Sequence, residues 1–367
     1  MNILFVTTDL KTGGVSTVTD LLATEMQRRG HTVSGLTFVT VPDATRYTVH
    51  SVTNSLGFTQ TGLSMFIKAF IPLCRYFWRH REHDAIIVAS DYPAIMTLLA
   101  CRLTGNKARI VVNSHITLSQ YAQGISVFKR LFLLIPRVLY PLAYAVANVS
   151  EAAAQDAERF FRLPHVHTLY NPLVRPETLT YVPIQPPHPW LKDDTLWTVV
   201  ACGRLSHQKN YPLMLQAFTK VVAQKPHVRL LILGSGEREA ELKALAHTLK
   251  LDDTVSFVGN VPNAPDYMYF ARCLWLTSAF EGLPTVMIEA LATGTPCVAV
   301  NCPSGPREIL QNNTYGRLVE SMDATANAQA MLEFMDAPRQ PRAHYKARAA
   351  DFSVETGTQA YLDLLAR

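Results

Sequence analysis

The chain has 367 residues, 48% of them apolar and 17% charged; with domains of roughly 100–200 residues, two are expected, and disorder throughout is excluded. Its net charge of +5 is modest and no dense Lys/Arg run is present, which argues against a dedicated nucleic-acid binder. The charge is uneven: residues 1–187 hold 17 Lys and Arg against 11 Asp and Glu, and residues 188–367 hold 17 against 18.

From the amino end, Ile3–Thr7 reads as a short strand. It is too briefly apolar for a signal peptide and lacks a basic leader and a cleavage pattern, so no export is expected. Cys74, Cys101, Cys202, Cys273, Cys297 and Cys302 form no CxxC pair, which fits a reducing cytosol. The loop from Thr8 to Ser16 opens a helix running to about Arg29. Its Gly13-Gly14 pair permits a ligand to approach the backbone, although a tight structural turn explains it equally well. Without a GxGxxG pattern, a nicotinamide or flavin site gains little support.

Strands follow at Thr32–Val39, Ala85–Ala89, Arg109–Asn113 and Ala145–Val149, separated by stretches of helical period. Two of these stretches, Met65–Arg81 and Ile125–Tyr144, interleave aromatic and aliphatic residues with cations. That pattern suits a helix lying in an anionic membrane surface; core helices with basic outer edges are the alternative. His80 and His83 sit in the basic string Arg79–His83 and read as a solvated face. The most apolar window, Leu131–Ala147, is broken by Pro136, Arg137 and Pro141, so no transmembrane helix is predicted. Asn113-Ser114-His115 ends a strand, where His115 could bond substrate hydroxyls or, with a near-neutral pKa, move a proton. Packing or capping is the competing reading.

Prolines 172, 176, 183, 186, 187 and 189 exclude a helix or central strand, and residues 173–194 read as a semi-rigid linker. The strand rhythm then resumes at Thr195–Cys202, Arg229–Leu233, Thr254–Val258, Leu274–Thr277 and Cys297–Val300. Near-continuous apolar strands alternating with helices predict two parallel, doubly wound sheets. Ligands bind outside the carboxyl ends of such strands, so a cleft between two facing sheets is expected.

Gly203-Arg204-Leu205-Ser206-His207-Gln208-Lys209-Asn210 lies between a strand and a helix, with Asn210 as N-cap. Arg204 supplies a fork and Lys209 a point charge, the pair a diphosphate needs, although solvated surface cations are commoner. In the segment from Ala279 to Pro296, Pro284 suits a first helical position and Gly294 a left-handed cap, bounding a helix of about ten residues. The first free N–H groups, near Gly282 to Val286 and so taking in Leu283 and Thr285 on either side of Pro284, form an anion site. Glu289 sits in an otherwise apolar run, so it needs partners. Its side chain leans toward the helix start, where it could accept bonds from a ribose diol or pair locally. The loop from Asn301 to Ile309 either completes the pocket wall or is a plain helix entry. No Asp-x-Asp, HExxH, GxSxG or P-loop pattern occurs, and no bound metal is expected.

Taken in order, these elements resemble the retaining GT-B glycosyltransferases of family GT4. The resemblance rests on Gly13-Gly14, Gly203-Arg204-Leu205 with Lys209, Leu233-Gly234-Ser235-Gly236-Glu237, Phe257-Val258-Gly259, the E-x7-E pair Glu281/Glu289, and Tyr315-Gly316-Arg317-Leu318-Val319. It implies an α/β fold of two Rossmann-like domains facing a cleft. Residues 1–172 would bind acceptor and 195–353 the nucleotide sugar, while a helix near Val354–Leu365, within 354–367, crosses back to the first domain. By the same resemblance Arg204 and Lys209 hold the donor diphosphate, Glu289 the ribose and Glu281 the transferred sugar's hydroxyls. Gly14 approaches the phosphates, Gly203 and Gly234 border the donor, Asn260 and Val261 border the base, and His115 lies near the sugar.

The motifs look most like bacterial transferases that assemble surface polysaccharide, O-antigen or lipid-linked oligosaccharide. Retaining, metal-independent transfer of a hexose or N-acetylhexosamine from a UDP-linked donor is expected. The acceptor would be a growing glycan at the cytoplasmic membrane's inner face, met through the basic N-terminal domain. A soluble family member with a small cytosolic acceptor, a nucleotide-sugar epimerase of this architecture, and a non-enzymatic binder are the alternatives.

Overall fold

The structure is a computed structural model that describes residues 1–8, 10, 14–38, 46–52, 63–115, 119 and 135–367, with backbone alone for 63–67. It divides into two units: Met1–Leu173 with Val354–Arg367, and Val174–Ser353.

The first unit is built on β1 (Asn2–Thr7), β2 (Thr32–Thr37), β3 (Thr48–Ser51), β4 (Ala85–Ala89), β5 (Arg109–Ser114), β6 (Ala145–Asn148) and β7 (His167–Thr168). All pair in parallel, in the order β3-β2-β1-β4-β5-β6-β7. The two-residue alternation of a strand sends Leu4, Val6, Ile86, Val88, Ile110 and Val112 to one face, where Leu73 and Phe77 of helix Leu63–Arg79 pack. Ile3, Phe5, Ala85, Ile87 and Val111 face the other way, onto Leu22 and Met26 of helix Gly14–Arg28 and Tyr361, Leu364 and Leu365 of helix Val354–Ala366. Both faces are covered, which is why these strands read as continuous apolar runs. The terminal helix is tied down by Arg29, which donates to the Glu355 carbonyl at 2.9 Å and to Gln359 Oε1 at 2.7 Å.

The second unit repeats the plan with β8 (Trp197–Cys202), β9 (Val228–Leu233), β10 (Val255–Gly259), β11 (Cys273–Leu276), β12 (Cys297–Val300) and β13 (Gly316–Val319). Their order is β10-β9-β8-β11-β12-β13, again all parallel. Strand order reverses between β8 and β11, the switch point where α/β sheets open a crevice for ligands.

Several expectations need correction. The proline-rich stretch is not wholly extended: it forms helices Pro176–Thr180 and Pro189–Lys192, each with proline in the first turn, where a missing N–H costs nothing. β3, β7 and β13 were not foreseen as strands, and β2 ends at Thr37. Of the stretch Ile125–Tyr144, residues 125–134 lie outside the described residues; the rest forms the short helix Ile135–Leu139 and the 3-10 turn Tyr140–Leu142. His83 is no solvated face. It is 7% exposed, its Nε2 lies 3.2 Å from Tyr76 Oη, and burial pushes its pKa down. The His80 ring stacks on Tyr76 at 4.3 Å. Among the described residues no helix is long and apolar enough to cross a membrane.

Candidate active site

In the second unit, the loops beyond β8, β9, β11 and β12 are held to one another by hydrogen bonds, and the site is assembled from these. Gly234, at φ +121°, shows how close they come: a Cβ there would lie 2.2 Å from the Gly203 carbonyl oxygen. The loop after β11 is fixed on both sides. The Ala279 N–H donates to the Gln208 carbonyl at 2.8 Å, and Gln208 Nε2 returns a bond to the Phe280 carbonyl at 2.9 Å. From the β12 side, Ser304 Oγ donates to the Glu281 carbonyl at 2.6 Å.

Between these clamps Lys209 Nζ meets Glu281 Oε1 at 2.7 Å, with the two side chains 16% and 7% exposed. Two charges taken so far out of water are retained only where each compensates the other. Gln208 Nε2 lies 3.4 Å from the second carboxylate oxygen, Oε2. Four residues after Glu281 begins helix Thr285–Ala292, whose free N–H groups and dipole favour an anion. Pro284 occupies the N-cap, not the first helical position, and the helix has eight residues. Gly294 is left-handed, at φ +80°, as a helix end requires.

Glu289 differs from expectation. Its side chain is half-buried, and its carboxyl accepts no hydrogen bond among the described residues. Burial raises its pKa, while the Lys209 charge pulls the other way. The same neighbourhood pushes the Cys202 thiol up to about 12, by burial first and then by Glu289. Glu289 is therefore an acceptor group with unused capacity beside a cation.

Arg204 is not joined to this group. It is 75% exposed and its Nε lies 3.2 Å from Glu237 Oε2. Asn210 stands at the N-cap position of helix Tyr211–Gln224, but at φ +49° and without a side-chain capping bond. Gly203 accepts a bond from Tyr211 Oη through its carbonyl at 3.2 Å. Asn260 Nδ2 donates to Ser235 Oγ at 2.9 Å, with half-buried Val261 beside it. Gly282 and Leu283 are buried, and Thr285 is half-buried. Arg307 turns to Glu320 at 2.7 Å. Among the described residues no cluster of three or more His, Cys, Asp or Glu side chains is placed to hold a metal ion.

In the first unit, Gly14 is the exposed first residue of helix Gly14–Arg28. His115 follows β5 directly, with its Nε2 3.3 Å from Asn113 Nδ2. Burial pushes its pKa down to about 4, so the imidazole is neutral at pH 7 and does not have the near-neutral value expected of it. Beside it, Asp91 takes bonds from Ser114 Oγ at 2.9 Å and Tyr140 Oη at 2.5 Å; burial raises its carboxyl. Asp91, Gln208 and Ser304 were not singled out from the sequence. Gln208 and Ser304 stood inside quoted motifs, and their polar side chains next to glycine-rich turns were the available signal.

Two parallel sheets of this strand order, each reversing at a switch point, have the layout of the GT-B fold. HepE of Anabaena, solved with UDP, shares the fold with a TM-score of 0.79 over 100% of both chains, at 19% identity. The family model described as Glycosyltransferase Family 4 matches residues 12–174, and Glycosyl transferases group 1 matches 187–352. The chain belongs to the GT4 glycosyltransferases. It is similar to the amylovoran biosynthesis glycosyltransferase AmsD of Erwinia amylovora, 25% identical over 332 residues covering 87% of this chain and 88% of that one. It is also similar to the N-acetylgalactosamine-N,N'-diacetylbacillosaminyl-diphospho-undecaprenol 4-alpha-N-acetylgalactosaminyltransferase of Campylobacter jejuni, 29% identical over 274 residues, 72% and 70% of the two chains.

Proposed function

We propose that the protein moves a hexose or N-acetylhexosamine from a UDP-sugar to a lipid-linked glycan during bacterial surface-polysaccharide assembly, with retention and without a metal ion. The observation that carries this reading is the buried Lys209–Glu281 pair at the start of helix Thr285–Ala292. When the anomeric carbon parts from the diphosphate, the bonding electrons go to the leaving oxygen. Lys209 and the helix N–H groups are placed to stabilise that charge, each such donor being worth about 3–4 kcal/mol in a water-excluded site. Arg204 joins them by leaving Glu237. Glu281 orients the sugar hydroxyls, and the unbonded carboxyl of Glu289 takes the ribose diol. Asn260 and Val261 border the base. Gly14 and His115 of the first unit serve the phosphates and the sugar.

Retention is assigned to attack by the acceptor hydroxyl on the face the diphosphate leaves, its proton passing to the departing diphosphate oxygen. UDP is supported as the donor nucleotide by the complex in which HepE was solved. A lipid-linked acceptor is supported by the diphospho-undecaprenol in the name of the Campylobacter relative.

Helix Leu63–Arg79 supports docking at the inner membrane surface. Lys68, Ile71, Arg75, Trp78 and Arg79 are all exposed and recur at helical spacing on one stripe, with Ile71 61% and Trp78 63% exposed. Leaving two such side chains in water forgoes roughly 1.5–3 kcal/mol each, which an interfacial helix recovers in the headgroup region.

A panel of UDP-sugars incubated with membrane-extracted lipid acceptors, with products read by mass, tests the proposal. A gain of one hexose or N-acetylhexosamine that persists in EDTA is the expected outcome. Isomerised donor without transfer, or activity abolished by EDTA and restored by Mg²⁺, would overturn it.

A further inference from the structure

The second unit carries a cluster of positive charge at the end of its sheet opposite the candidate active site. Arg272 directly precedes β11, Thr295 and Pro296 directly precede β12, and Arg339 and Arg342 lie at the entry to helix Arg342–Ala350. These three guanidinium side chains line one cavity of about 60 Å³, and no Asp or Glu is among its lining residues.

The arginines are held in place by neutral groups. Arg342 donates to the Thr293 carbonyl at 3.0 Å and the Tyr269 carbonyl at 2.6 Å, and its guanidinium lies 4.0 Å from the Tyr269 ring centroid. Arg339 donates to the Arg272 carbonyl at 3.2 Å. Such bonds fix where the forks lie and leave their charges uncompensated. Arg272 makes no side-chain hydrogen bond or ion pair among the described residues, and Asp336, which precedes Arg339 in the chain, is taken by Lys225 at 3.0 Å. Burial and repulsion from Arg272 and Arg342 hold Arg339 below the ordinary arginine value, and Lys346 is lowered by burial and by Arg342. Arg339 and Arg342 are exposed and Arg272 half-buried; gathered without a counterion these like charges repel, and an anion joining them relieves that repulsion.

We propose that the cavity bounded by Arg272, Arg339 and Arg342 binds a phosphate group, at a site distinct from the donor site. Guanidinium forks bind oxyanions bidentately, three of them around one cavity suit a group with several oxygens such as phosphate, and about 60 Å³ admits one such group but not a nucleoside. Helix Thr285–Ala292 separates the two places: it begins beside Glu281, and the Thr293 carbonyl just past its end is the one Arg342 holds. The phosphate can be free or part of a lipid headgroup.

Inorganic phosphate titrated into the full-length protein, followed by thermal unfolding and calorimetry, tests the site. A saturable rise in Tm of roughly 2–4 °C is expected for the wild type and for Lys209→Ala, which removes the donor-site cation. In Arg339→Ala and Arg272→Gln, phosphate affinity should fall at least tenfold while UDP affinity stays unchanged. Arg272→Gln, which disturbs no bonded partner, keeps the test decisive if Arg339→Ala folds poorly. If phosphate alone gives no rise, sedimentation with phosphatidylglycerol vesicles against phosphatidylcholine vesicles identifies a headgroup by selective, Arg339-dependent binding. Absence of Arg272- and Arg339-dependent binding in both arms overturns the proposal.

Discussion

Past β11 in the second unit an ammonium and a carboxylate meet at 2.7 Å, both withdrawn from water. In the first unit a neutral imidazole, His115, stands past β5, and past β4 the half-buried Asp91 takes its bonds from two hydroxyls. Apart from the extra edge strand β7, strand order is the same in both sheets, so topology alone does not set this difference. It comes from the loops. One set presents a cation paired with a carboxylate, suited to a departing diphosphate; the other, among its described residues, presents a neutral imidazole and a carboxyl bonded by hydroxyls, suited to hydroxyls.

The largest expected effect breaks the charged side of that comparison. Glu281→Ala should lower kcat/KM about 10³-fold or more, because it removes the proposed contact to the sugar and strands Lys209. Lys209→Ala should cost a similar factor, and the double variant far less than the product of the two, since the residues act as a unit. Turnover rates on the donor and acceptor found by the mass assay check this. Full activity in either single variant would show that the site lies elsewhere.

A smaller effect separates the jobs of the two units. Ile71→Ser with Trp78→Ser should reduce binding to phosphatidylglycerol vesicles about tenfold and leave UDP affinity unchanged. Flotation and calorimetry on one preparation give both numbers. Equal losses would mean that the exposed stripe supports the fold and not a membrane contact.

How much of this was legible beforehand depends on range. Strands such as Ala85–Ala89 were readable because a sheet covered on both faces leaves an uninterrupted apolar run. Thr48–Ser51 carries no such run and His167–Thr168 spans two residues, so β3 and β7 are strands by virtue of their neighbours. The punctuation of helix Thr285–Ala292 was visible within one residue at its start. Its pairing was not, because Lys209 and Glu281 stand 72 residues apart and only the folded loops join them. The same limit hid the burial of His83 and the turning of Arg204 toward Glu237.

The smallest effect sharpens the comparison through pH. Burial raises the carboxyl of Glu289 above its ordinary 4.5 and lowers His115 from 6.5 to about 4. In each case the uncharged form is the one the fold favours, yet the two respond in opposite directions. Glu289's contribution to stability is fully present below pH 4.5 and is lost as pH rises through its raised pKa. That of His115 is fully present above pH 6.5 and is lost as pH falls through about 4. Replacing either group by glutamine removes its titration. Glu289→Gln should therefore gain Tm over wild type progressively from pH 4.5 upward, and His115→Gln progressively from pH 6.5 downward, each by a few degrees. Melting curves at half-unit steps from pH 4 to 8 read both slopes. If His115→Gln tracks the wild type down to pH 4, its ring is solvated and free to titrate near neutrality, and the neutral imidazole assigned to the first unit is lost with it.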